Sequence, residues 1–109
     1  MKQPEIFLKH MLMAIEKIEK YIKGYDLNSF KNDDKTMDAV IRQFEIIGEA
    51  AGKLPANLTQ DSPISLDKIT GMRHRLIHDY MGVDVDIVWK TSKDGLDPLK
   101  KWLQEKVKS

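Results

Sequence analysis

The residues of this sequence best suited to acid–base or anion chemistry crowd into one short stretch. Arg73, His74, Arg75, His78, Asp79 and Tyr80 all lie between positions 73 and 80. Two of the three histidines and two of the three arginines are here, whereas positive charge elsewhere is carried almost wholly by the 15 lysines. Arginine chosen over lysine at one place points to forked recognition of an anion such as phosphate. Histidine, with an ordinary pKa of about 6.5, moves protons near neutral pH.

Three readings of the stretch stand side by side. His74 and His78 are one helical turn apart, a spacing that suits zinc, but the sequence offers no third ligand beside them. A structural reading makes His78 an interior or capping residue and puts Arg73 and Arg75 in surface ion pairs. The third reading is phosphodiester chemistry, with arginine stabilising charge on phosphate and histidine transferring protons. RNA carries its own nucleophile, the 2′-hydroxyl, so this chemistry does not strictly need a metal. It does need both an acid and a base. A two-fold dimer would supply two copies of each group across one cleft. On a regular helix Arg73 and His78 sit about 140° apart, so they converge only if the helix loosens toward Gly82. Arg75 and His74 each share a face with His78.

The signatures of other chemistries are missing. There is no phosphate loop, dinucleotide fingerprint, His-Glu-x-x-His or Gly-x-Ser-x-Gly. The 109 residues include no cysteine, so disulfides and cysteine metal sites are excluded. A formal net charge of +1 speaks against a generic basic nucleic-acid binder; any such contact must be local. The N-terminal MKQPEIFLKH lacks the apolar core of a signal peptide, and no apolar run is long enough for a membrane span. The expectation is a cytoplasmic protein with no membrane partner.

The elements that must position the stretch are all helical. Ile6, Phe7, Met11, Ala14, Ile15, Ile18, Tyr21 and Ile22 recur at threes and fours after Pro4, predicting a first helix that stops at Gly24. Its other face reads as solvated, with Glu16–Lys20 and Glu19–Lys23 pairs. Residues 25–34 are turn-rich, with room for one helical turn at Ser29 and Phe30. Asn32, Asp33 and Asp34 can each cap a second helix. That helix carries Met37, Val40, Ile41, Phe44, Ile47, Gly48 and Ala51, and is expected to end near Leu54, before Pro55. Residues 55–65 read as a loop. A third helix spans 66–80, and Asp84 caps a fourth with Val85, Val88, Trp89, Leu96, Leu99, Trp102, Leu103 and Val107. Gly95 and Pro98 predict a kink or break in it. Aromatic residues at helical spacing, including Tyr21, Trp89 and Trp102, read as core or interface. Glu45 and Glu49 read as a solvated or ion-paired face, His10 as a surface residue and the methionines as core fillers. The fold class is all-α: one domain over 1–109, a bundle of four or five helices.

Arg73, four residues, His78, one residue, Tyr80 resembles the signature of the HEPN superfamily, and in particular of its HepT-like ribonuclease toxins. Residues 35–50 (KTMDAVIRQFEIIGEA) and 71–84 (GMRHRLIHDYMGVD) look like two blocks of that family, and Val88-Trp89 followed by LDPL at 96–99 fits its last helix. The resemblance implies a homodimer with a metal-independent endoribonuclease site in the dimer cleft and no cofactor. It makes Arg73 the phosphate-binding residue and His78 the catalytic one, with His74 and Arg75 supporting. It implies RNA as substrate and a minimal nucleotidyltransferase antitoxin of the MntA type as partner, which adenylylates the tyrosine, here Tyr80. Two positions depart from the pattern: His74 stands where relatives often have Asn, and Leu66 where they often have Trp. The other outcome consistent with the resemblance is a catalytically silent helical dimer that serves as a binding module for the nucleotidyltransferase.

Overall fold

A computed structural model describes residues 4–63, Gly71 and residues 84–108. Among the described residues every regular element is helical. Helix α1 runs Pro4–Ile22, α2 Leu27–Lys31, α3 Asp34–Ala51, α4 Ala56–Thr59, α5 Val85–Lys90 and α6 Asp97–Lys108, with a π-turn at Thr91–Gly95 between the last two. None is long and apolar enough to cross a membrane.

The local signals explain the boundaries. Gly24 adopts φ +83°, a left-handed conformation that a side chain rarely tolerates, and it turns the chain out of α1. Asp26 then opens α2 with a reciprocal cap: its carboxylate accepts from Ser29 N–H, and the Ser29 hydroxyl accepts from Asp26 N–H. Asp33 caps α3 by accepting from Thr36 N–H. Its other oxygen accepts from the hydroxyls of Tyr25 and Thr36. These donors, Tyr25 foremost, hold the Asp33 carboxyl down at about 2. The turn between the two long helices is therefore pinned by one carboxylate.

Alpha1 and α3 pack antiparallel. Met11, Ile15 and Ile18 meet Val40, Phe44 and Ile47 in a continuous core, and α6 closes it with Leu99 and Leu103. Phe30 of the short α2 is fully buried and stacks at a tilt against Trp89 of α5. The aromatic residues thus serve the core, as the spacing predicted.

Three expectations need correction. Alpha3 ends at Ala51, with Gly52 as its C-cap, rather than near Leu54. The turn after Gly52 is already closed by hydrogen bonds from Lys53 and Leu54 back to Ala50 and Ala51, ahead of the restraint imposed by Pro55. The loop 55–65 holds the single helical turn α4, entered through Pro55 in an extended conformation. Glu19 does not turn to Lys23; its carboxylate accepts from Lys100 Nζ at 2.8 Å, joining α1 to α6, and it holds the Lys100 pKa above its ordinary value. The expected interruption at Gly95 and Pro98 is present: α5 ends at Lys90, a π-turn spans Thr91–Gly95 with the buried Ser92 hydroxyl donating to the Val88 carbonyl at 2.7 Å, and α6 starts at Asp97.

Two outcomes follow. Replacing fully buried Ile15 with Ala should cost about 2–5 kcal/mol in urea denaturation. Asp33 is depressed in the folded state, so its contribution is present above the ordinary carboxylate pKa of 3.8 and is lost as pH falls through about 2. The stability advantage of wild type over Asp33→Asn should shrink across that window; an advantage that stays constant with pH would contradict the assignment.

Candidate functional site

Arg73, His74, Arg75, His78 and Tyr80 lie outside the described residues, as do Leu66 and Gly82. The frame on either side of them is defined. On the N-terminal side, Asp61 is tied to the last helix: Trp102 Nε1 donates to Oδ1 at 3.1 Å, and Lys106 Nζ to Oδ2 at 3.0 Å. The Lys106 and Trp102 donors push the Asp61 pKa down. Lys106 also lies over the Trp102 ring, 5.7 Å from its centroid. On the C-terminal side, Asp84 accepts from the N–H groups of Asp86 and Ile87 and starts α5. Asp86 in turn pairs with Lys31 of α2 at 2.8 Å. The described residues are therefore anchored on both sides, in sequence, of the segment bearing the Arg/His/Tyr cluster. Gly71, within that segment, is helical and exposed.

The acidic pair of α3 is ion-paired along its own helix. Half-buried Glu45 accepts from Arg42 at 3.3 Å, and exposed Glu49 stands 3.8 Å from Lys53. This is the paired face the sequence predicted. His10 is on the surface, also as expected. The sequence reading missed what these residues border. Where the first turns of α1 meet the end of α3, a groove of about 400 Å³ opens, with Phe7, Ile46 and Ala50 among its apolar lining and His10, Glu49 and Lys53 among its polar lining. Ile6, placed in the buried stripe by its spacing, lines the groove and is 46% exposed, and Met13, read as a core filler, is 55% exposed. The signal was available in part: Ile6, His10, Met13 and Lys17 form a stripe of their own beside the buried one. Among the described residues no group of three His, Asp or Glu could hold a metal ion.

The helical architecture is that of the class the motif resembles. A family profile described as Ribonuclease HepT-like matches residues 11–105. A provisionally named ribonuclease HepT of Thermococcus cleftensis is 41% identical over 95 residues, covering 86% of each chain. A provisionally named RNase of Caldanaerobacter subterraneus subsp. tengcongensis is 36% identical over 106 residues, covering 96% of this chain and 95% of its own. Another from Methanocaldococcus jannaschii is 37% identical over 103 residues, covering 94% and 89%. No solved structure matches significantly. The chain belongs to the HepT-like ribonuclease family of all-α HEPN proteins.

The Asp61 tie generates a prediction. Asp61→Asn keeps an acceptor for Trp102 and loses the charge for Lys106, whereas Asp61→Leu loses both. Melting temperature should fall in the order wild type, Asn, Leu by differential scanning fluorimetry. Equal melting temperatures would mean that the tie carries no stability.

Proposed function

We propose that this member of the family is a metal-independent endoribonuclease toxin that acts as a homodimer. The observation that carries the reading is the spacing Arg73-x₄-His78-x-Tyr80 inside a chain of HepT-like ribonuclease type. One protomer's His78 takes the proton from an RNA 2′-hydroxyl. The freed oxygen attacks the adjacent phosphorus, the bond to the 5′-oxygen breaks, and the second His78 of the dimer protonates that leaving oxygen. The products are a 2′,3′-cyclic phosphate end and a 5′-hydroxyl end. Arg73 binds the phosphate and stabilises the charge that grows on its oxygens in the transition state. His74 and Arg75 support phosphate binding from the same stretch. The division of labour answers the need for an acid and a base with a short chain, because an isologous contact doubles every group.

The proposed partner is a minimal nucleotidyltransferase antitoxin of the MntA type, which adenylylates Tyr80. The physical sense is direct: an AMP group on Tyr80 sets a bulky anion two residues from His78, where RNA phosphate has to bind. The work is assigned to the cytoplasm.

His78→Ala should lower RNA cleavage by about 10²–10⁴-fold, the range for loss of a positioned acid–base group, with the far-ultraviolet circular dichroism unchanged. Cleavage equal to wild type would remove His78 from the mechanism. No cleavage by wild type would leave the silent binding module as the reading. Coexpression with an adjacent nucleotidyltransferase should add AMP to wild type but not to Tyr80→Phe, read by intact-mass spectrometry. Modification that persists in Tyr80→Phe would place the target elsewhere.

A further inference from the structure

The groove between α1 and α3 has no part in the proposed chemistry, yet its lining is selective. Its floor is the nearly buried Phe7, which His10 meets edge-on with ring centroids 6.3 Å apart. Lys53 places its ammonium 5.4 Å above the same ring. Ile46 and the exposed Ile6 complete an apolar surface of a kind that takes a flat, weakly hydrated group. The charges around it are mixed rather than uniform: a cation at Lys53, an anion at Glu49 and the titratable ring of His10. The Glu49–Lys53 separation of 3.8 Å is an ion pair but not a hydrogen bond, and both side chains are about half exposed, at 52% and 49%. Such a pair is worth little and opens readily. Glu49 therefore offers both carboxylate oxygens to a ligand with paired donors.

We infer that this groove binds a guanine nucleotide of the RNA strand, as a base-reading subsite. The inference rests on the ribonuclease reading for its ligand class. Guanine alone among the four RNA bases presents two adjacent donors, N1–H and the N2 amino group, on its Watson–Crick edge, and these match the two oxygens of one carboxylate. Cytosine and adenine present an acceptor beside a single amino group, and uracil flanks its one N–H with two carbonyls, so each would set an acceptor against Glu49. The base packs against the Ile6 and Ile46 side chains that line the groove, as single-stranded RNA bases do on apolar surfaces. Lys53, released from Glu49, and His10 face the phosphate.

The test is a titration of wild-type protein with GMP, AMP, CMP and UMP, observing the methyl groups of Ile6 and Ile46 by ¹H–¹³C NMR, with RNA cleavage measured on the same sample. The expected result is that both methyls respond to GMP at a concentration at least about tenfold lower than to the other three, the discrimination a bidentate contact provides. Glu49→Gln should remove the preference, and Lys53→Ala should weaken all four nucleotides alike. Equal responses to the four nucleotides would overturn the inference. So would the absence of any response at Ile6 and Ile46, as when a second copy of the chain covers the groove. Cleavage without a groove response defeats the subsite and leaves the ribonuclease reading standing. A selective groove response without cleavage supports the guanine site and defeats the ribonuclease reading.

Discussion

The antiparallel contact of α1 with α3 is the constraint on which the other features depend. Its buried side chains supply the apolar area that offsets the entropy of ordering a chain this short. Everything else is placed relative to that contact. The last helix closes the core with Leu99 and Leu103 buried in the same cluster as the apolar face of α1. The seam also fixes the register of the surface: with Phe7 held beneath Lys53, the exposed residues of α1 and α3 on that side are forced to border one groove.

Polar contacts then set the angles that apolar packing leaves free. The Glu19–Lys100 pair fixes one end of α6 against α1, and the Asp61 contacts with Trp102 and Lys106 fix its other end to the loop that leads toward residue 64. Asp33 does the same for the turn between α1 and α3. These are exposed or half-exposed contacts, and each contributes modestly on its own. Their value lies in geometry: they fix the ends of α6 and the α1–α3 turn, and the Asp61 contacts hold the segment that precedes the Arg73–Tyr80 stretch in sequence.

Local features were legible in the sequence because their causes are local. The period of α1, the caps at Asp33 and Asp84 and the stop at Gly24 each depend on residues within one turn. Glu19 was misread because a partner at i+4 was in sight and one 81 residues away was not. The interruption near Gly95 and Pro98 was legible because both residues are local breakers, whereas its form as a π-turn at Thr91–Gly95 was not. Met13 looks like core by type, and only its phase on α1 shows that it faces outward, while Ile6, which its spacing put in the buried stripe, lies at the edge of that stripe and lines the groove. The spacing and residue choice of Arg73, His78 and Tyr80 pointed to a chemistry that stands here as the proposed function. The α1–α3 groove was not legible, because its lining comes from opposite ends of two helices.

On the proposed function, each chain carries half of a metal-free site, and two copies complete it. The most direct test is RNA cleavage in excess EDTA across a dilution series, with the oligomeric state measured at every concentration. The account predicts that chelation leaves activity unchanged and that activity per chain falls as dimer gives way to monomer. Activity that requires added metal, or that stays constant per chain after the dimer has dissociated, would contradict it.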